Sequence, residues 1–186
     1  MRLNLNMVKP SLNHMTKNAE VILFPKNTRG PEQHRQWLSS ILQTFQEHLG
    51  RHGLKLTRQR EEILRCLMSA ERHLGVDEIY AQLKREDPTI GRATIFRTMN
   101  LLQECGLVAE VGAFQNGGAK FELKADRPHH DHMICIECGR ISEFQSPMME
   151  RFQDEAIRRH GFVALWHRHE IFGRCKGCFK NRRSAR

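Results

Sequence analysis

Between Gly91 and Leu123 the chain reads GRATIFRTMNLLQECGLVAEVGAFQNGGAKFEL, and a change of apolar spacing part-way along it decides the fold. Up to Cys105, Ile95, Met99 and Leu102 recur at four- and three-residue steps, one stripe of a helix, and Gly106 supplies its stop. From Leu107 to Val111 and again from Ala119 to Leu123 the pattern alternates as half-buried strands do, about a turn at Asn116-Gly117-Gly118. If the stripe is buried, a step of about 100° per residue puts Ala93, Arg97 and Asn100 on the opposite side, with Phe96 on the shoulder.

Upstream lie two more short helical patterns. Thr57 is an N-cap candidate for a helix carrying Ile63, Leu64, Leu67 and Met68 inward, and Val76, Ile79, Tyr80 and Leu83 follow at i, i+3, i+4 and i+7 before Asp87-Pro88 closes the run. A further apolar face, Trp37, Leu38, Ile41, Leu42, Phe45 and Leu49, spans Gln33 to Leu49 and stops at Gly50 and Gly53. Three short helices and then a hairpin is the order of a winged helix-turn-helix, whose third helix enters the major groove. Small, basic and amide side chains at Ala93, Arg97 and Asn100 can meet base edges and phosphates, and Phe96 a thymine methyl. Lys55, Arg58 and Arg60 flank the second helix as phosphate or minor-groove contacts; the bland alternative is the solvated face of an ordinary three-helix domain.

Residues before Gln33 are rich in Asn and Lys, carry Pro10, Pro25 and Pro31 and lack a sustained apolar period, which reads as a mobile leader. Downstream, strands are expected near Met133–Ile136 and Ile141–Phe144. A helix from about Pro147 to His160 should turn Met148 or Met149, Phe152, Ala156 and Ile157 inward. An apolar strand around Phe162–Trp166 and a basic tail, Lys180 to Arg186, complete an α+β unit of a size that suits dimerisation.

The chain has 186 residues, 39% of them hydrophobic, with a formal net charge of +9, a balance that favours polyanionic partners. No stretch is long and apolar enough for a membrane helix, and Val21–Phe24 is too short for a secretory signal, so a cytoplasmic protein is expected. Six cysteines in such a setting point to zinc more than to disulfides.

Cys135-x-x-Cys138 and Cys175-x-x-Cys178 form two knuckles, and four thiolates complete the tetrahedron Zn2+ favours, leaving no position for water or substrate: a structural site. Cys66 and Cys105 sit among helical apolar residues and read as small core side chains. His129-His130-Asp131-His132 precedes the first knuckle. In an extended chain His129 and Asp131 face one way and His130 and His132 the other, so one tetrapeptide can begin two sites. Imidazole and carboxylate ligands suit Fe2+, Zn2+, Mn2+ or Ni2+ held reversibly, as sensing requires. The same residues could serve a metallohydrolase, but no independent nucleophile or general base is apparent, and no enzymatic activity is expected. A zinc-stabilised protein that only bridges partners is a third reading.

The segments LKLTRQREEIL (54–64), GRATIFRTMNLLQECGLV (91–108), FELKADRPHHDHMICIECGRISEF (121–144) and CKGC (175–178) together resemble the ferric uptake regulator (Fur) family over roughly residues 33 to 180. The resemblance implies a winged-helix DNA-binding domain over 33–117 and a metal-binding α/β dimerisation domain over 118–180, between the flexible leader over 1–32, which has no counterpart in the family, and the basic tail over 181–186. It implies a hinge sensing site of His73, Glu122, His130 and His132, and a second site of His129, Asp131, Glu150 and His167 with Glu143 adjacent. Lys55, Phe96 and Arg97 fall on DNA-contact positions. Family members usually carry Tyr where Phe96 stands, so a hydroxyl contact is lost. The expected function is a metal-responsive repressor on double-stranded operator DNA, a homodimer or tetramer, with Fe2+ as regulatory metal (Zn2+ or Mn2+ able to substitute) beside structural Zn2+. Iron is favoured because Glu122 and Glu143 match the iron-responsive pattern. Peroxide sensors use Asp at comparable positions, and zinc sensors add a Cys to the hinge site. A zinc-responsive (Zur-like) or peroxide-responsive regulator is the alternative.

Overall fold

The computed structural model describes residues 30–70, 72–114, 118–125 and 127–184, with the backbone alone at 113, 114 and 181–184. The expected leader up to residue 29, the turn residues 116 and 117 and the last two residues of the tail lie outside the described residues.

The first half is built as its apolar periods predict. Helix α1 spans Pro31–Arg51, two residues further at each end than expected, and buries Ile41, Phe45 and Leu49. Thr57 caps α2 (Arg58–Ser69), its hydroxyl accepting from the Arg60 N–H, and α3 (Val76–Leu83) and α4 (Arg92–Glu104) follow. Ile63, Leu64, Ile79, Ile95, Met99 and Leu102 are completely buried in one core, each contributing about 1.5–3 kcal/mol. Cys66 and Cys105 belong to that packing, as expected, and burial pushes the Cys66 thiol up to about 11.

Strands β2 (Val108–Phe114) and β3 (Gly118–Leu123) form the hairpin, with a register shift after Val111 where Gly112 has φ 63°. A two-residue strand that the alternation gave no sign of, β1 (Leu74–Gly75), adds to β3 and makes the order β1-β3-β2. It fixes His73, one residue earlier, beside this sheet. The division expected after residue 117 falls inside the hairpin; β3 stays hydrogen-bonded to β1 and β2, and the break between the two sheets comes after Leu123.

The second sheet has β4 (Asp131–Cys135) at its centre, antiparallel to β5 (Ile141–Phe144) and parallel to β6 (Glu170–Gly173). Two expectations fail here. Phe162–Trp166 is not a strand; the edge of β4 is taken by β6, whose Gly173 stands opposite Cys135 and so delivers Cys175 to the first knuckle. Helix α5 (Pro147–Arg159), capped by Ser146, does not turn its apolar face inward: Met148 is 55% and Phe152 66% exposed. Leu165 and Trp166 are exposed too. A short apolar run tells that a face wants cover, not that its own chain provides it. The second pair of cysteines opens α6 (Lys176–Ser184), so the start of the basic tail is helical.

Glu78 ties α3 to the first sheet. Its carboxylate accepts from the Gly75 N–H at 2.7 Å and pairs with Lys120 and Arg72. Partial burial opposes the charge, but the Gly75 N–H and the two cations outweigh it and lower Glu78 to about 2. Because a depressed carboxyl pKa stabilises the fold only while the group is ionised, this contribution is complete above about pH 4.5 and lost as pH falls through about 2. Glu78→Ala should therefore cost about 1 kcal/mol in urea unfolding at neutral pH, and the gap to the unsubstituted chain should narrow from about pH 4.5 downward.

Candidate metal centres and nucleic-acid interface

Three groups of ligand atoms assemble around β4 and its neighbours. At the C-terminal end of β4, the sulfurs of Cys135, Cys138, Cys175 and Cys178 converge, each within 4.8 Å of the others. Cys138 and Cys175 Sγ are 3.7 Å apart, against about 3.8 Å for two thiolates tetrahedrally placed on Zn2+. Gly139, at φ 68°, closes the first knuckle by donating its N–H to the Cys135 carbonyl. The Cys175 N–H donates to Cys135 Sγ at 3.3 Å and, with other backbone N–H groups, lowers that thiol to about 6. Cys178, hydrogen-bonded by Cys138 and then Cys175, is pushed up to about 12. Donor type, number and spacing all fit a closed Zn2+ site.

The second group lies between the two sheets. His73 comes from just before β1, Glu122 from β3, His132 from β4 and Glu143 from β5. His73 Nε2 is 3.3 Å from both His132 Nε2 and Glu122 Oε2, and 3.5 Å from Glu143 Oε1. His130 Nε2 reaches Glu122 Oε2 at 3.0 Å and Glu143 Oε1 at 4.0 Å. The four residues expected at the hinge are thus together. Glu143, expected beside the second site, belongs here instead, because β5 pairs it directly with His132. Burial alone would raise the Glu122 carboxyl, but hydrogen bonds from His130, His132 and His73 hold it well below the usual range. His130 is raised in turn; burial disfavours its charge, but the Glu122 carboxylate more than compensates.

One neighbour carried no sequence signal. Arg127 donates to Glu122 Oε2 at 2.8 Å and also bonds Glu143, setting a cation against both carboxylates. Arg127 lies in a loop, and nothing in its local pattern announces which strands it meets.

The third group gathers His129, Asp131, Glu150 from α5 and His167. His129 Nε2 stands 3.3 Å from Asp131 Oδ1, 3.3 Å from Glu150 Oε1 and 2.8 Å from His167 Nε2. Asp131 is 1% exposed, and neither carboxylate oxygen has a hydrogen-bond partner. A buried carboxylate without hydrogen bonds is costly, so this donor set fits a cation that repays it. His169, not anticipated, adds Nδ1 at 3.9 Å from Asp131. Its imidazole is brought there by the pairing of β6 with β4, two residues beyond His167.

On α4, Ala93, Phe96, Arg97 and Asn100 are all exposed on the side away from the core, as the stripe predicts. Phe96 is 56% exposed on a helix whose apolar side is otherwise buried. Arg92 anchors the helix by pairing with Asp77 at 2.6 Å and lying 4.0 Å over the Tyr80 ring. Lys55 and Arg58 are exposed, though Arg58 bonds Glu62 at 2.6 Å along α2, while Arg60 turns back to the Lys55 carbonyl.

This combination of winged-helix half, sulfur cage and two His/carboxylate groups has known counterparts. The profile of the Ferric uptake regulator family matches residues 51–172. The chain belongs to that family. A ferric uptake regulation protein of Campylobacter jejuni is 40% identical over 140 residues, covering 74% of this chain and 88% of the relative; that of Rhizobium leguminosarum is 33% identical over 136 residues, covering 73% and 94%. Among solved structures, the Helicobacter pylori ferric uptake regulator, described as having three functional metal binding sites, superposes with a TM-score of 0.69 at 30% identity, covering 76% of this chain and 93% of that one. The Francisella tularensis regulator, solved with iron, has a TM-score of 0.61 at 32% identity, covering 68% and 96%.

As in those Fur structures, mixed helix and sheet form an N-terminal DNA-binding type of unit followed by a second α/β unit. If the four thiolates of this Fur chain form a closed structural site, extracting their metal with a strong chelator should remove hydrogen-exchange protection from β4 and β6 while α2 to α4 keep theirs. Equal protection before and after extraction would show that the cage does not hold the second sheet.

Proposed function

We propose that this Fur-family chain is an iron-responsive DNA-binding repressor that acts as a homodimer, with Cys135, Cys138, Cys175 and Cys178 holding structural Zn2+. The reading is carried by one observation: the hinge group takes His73 and Glu122 from the first sheet and His132 and Glu143 from the second. Fe2+ at this group would supply the positive charge that these ligands share. Ligands drawn from two units can converge only in one relative placement of those units. A cation that needs all of them therefore favours that placement by its differential affinity, typically 5- to 150-fold. His130 reinforces the group through Glu122, and His129, Asp131, Glu150 and His167 form a second site within the α/β unit.

The preference for iron rests on a hinge donor set of imidazoles and carboxylates without sulfur, a set suited to exchangeable binding. DNA is read by α4, with Phe96, Arg97 and Asn100 toward the groove and Lys55 and Arg58 on phosphates; the exposed aromatic at Phe96 supports a contact outside the chain. We place the protein in the cytoplasm, as an operator-binding regulator requires; no helix among the described residues is long and apolar enough to cross a membrane.

The uncovered face of α5, with Phe152 and Met148, and the apolar run through Leu165 and Trp166 support the dimer. Apolar side chains that a single chain leaves exposed in a contiguous element mark an interface. Phe152→Glu should convert the assembly to monomers in analytical ultracentrifugation, which also distinguishes dimer from tetramer in the unsubstituted protein.

His130→Ala with His132→Ala should leave a folded dimer whose operator affinity no longer rises when Fe2+ is added, a loss of at least about 5-fold. Mobility shift in buffered Fe2+ and in buffered Zn2+ measures this; an undiminished metal response of the double variant would remove the hinge assignment. A response of the unsubstituted protein to Zn2+ at far lower free concentration would move the sensed metal to zinc.

A further inference from the structure

A fourth set of ligand atoms converges far along the sequence from the three groups above. His48 and His52, at the end of α1, and Glu104, at the end of α4, bring their donor atoms within 4.8 Å of one another. His48 is 7% exposed, yet its Nε2 has no hydrogen-bond partner. Glu104 Oε2 stands 3.9 Å from that nitrogen, too far for a hydrogen bond. A buried ring nitrogen left without a partner and aimed at a carboxylate is poorly satisfied by the protein alone.

The sequence around these residues has the form a cation requires. His48-Leu-Gly-Arg-His52 spaces two imidazoles four apart, the separation that puts both over one face of a helix. Their ring centroids are 4.6 Å apart. His52 is the C-cap of α1, and Glu104 is the last residue of α4, so two helix C-termini end beside the group. Each presents the negative end of its dipole, which favours a cation. Ligands at about 2.1 Å from a tetrahedral ion lie about 3.4 Å apart. The 3.9 Å gap closes with a small rotation of Glu104, whose side chain is 58% exposed and free to make it.

We propose that His48, His52 and Glu104 form an additional divalent-cation site, two imidazoles and one carboxylate with water in the open positions. The ligand class suits a borderline first-row ion such as Zn2+, Co2+ or Ni2+. Its place in the fold sets its effect: it joins the end of α1 to the C-terminal end of α4. Occupancy braces the outer helix against the helix whose exposed face carries Phe96 and Arg97, and leaves the relation of the two sheets untouched. None of the three residues belongs to the hinge group, the second group or the cage, so the site stands whether or not those sense iron.

The test uses the full-length protein with its cysteine cage filled by Zn2+, and Co2+ as the probe. Co2+ bound per chain is read by equilibrium dialysis, and amide exchange is followed over residues 48–54 and 101–105 with and without Co2+. His52→Ala and Glu104→Gln alter exposed side chains and leave the buried His48 in place. Each should bind one Co2+ fewer per chain and lose the protection that Co2+ confers on those two segments. His130→Ala with His132→Ala should lose a different ion and keep that protection. Should His52→Ala and Glu104→Gln both bind as many ions as the unsubstituted protein, or should Co2+ confer no protection on residues 48–54 in that protein, the proposal is overturned. His52→Gln, which keeps a polar side chain of similar reach, separates loss of a ligand from loss of a helix cap: it should bind like His52→Ala.

Discussion

Neighbouring residues of an extended strand cannot share a face, and residues 129 to 135 turn that rule into the plan of the whole metal-binding half. His130 and His132 look toward the first sheet, where Glu122 and His73 meet them; His129 and Asp131 look toward α5 and His167. Three residues further, Cys135 ends the same strand in the sulfur cage. A one-residue slip of β4 would exchange the two faces and present Asp131 to the hinge. The pairing with β5 on one edge and β6 on the other, His132 opposite both Glu143 and Glu170, holds the register against that slip.

The two His/carboxylate groups manage their buried charge differently. At the hinge, Glu122 is surrounded by three imidazoles and the Arg127 guanidinium, so the ionised form is compensated before any metal arrives. A cation entering there would compete with Arg127 for Glu122 and Glu143, which would weaken binding and make it exchangeable. In the other group Asp131 is buried with no hydrogen-bond partner on either oxygen. Its cost would be met by the positive charge of a bound cation beside the imidazoles of His129 and His169. The contrast arises from position: Glu122 faces a loop that sends an arginine inward, and Asp131 is buried with imidazoles as its charged neighbours.

The halves differ as much in their cores. The DNA-binding half closes on itself, with Phe45, Leu49, Ile63, Ile95 and Leu102 in one buried cluster. In the second half Ile134 and Cys135 are the buried apolar side chains of β4, while Phe152, Leu165 and Trp166 remain outside. So small an interior needs staples, as small units generally do, and a cation held by the four sulfurs would be one. The apolar surface left over is what a second copy of the chain would cover.

Local pattern was enough for much of this. The stripe Ile95, Met99 and Leu102 fixed which side of α4 faces outward, and the doubled Cys-x-x-Cys spacing fixed the cage, because helical period, strand alternation and ligand number are properties of adjacent residues. The alternation through His129–His132 likewise divides these residues into two sets. What lay beyond the sequence were partners set by long-range pairing. Glu143 joins the hinge because β5 runs antiparallel to β4; Glu170–Gly173, and not the more apolar Phe162–Trp166, takes the strand edge and so carries Cys175 to Cys135. The placing of His169 beside Asp131 and the meeting of His48 with Glu104 depend on segments brought together from far apart in the chain, and Arg127 on the course of a loop between two strands. Such contacts have no period to read, and only the packing of sheets and helices decides them.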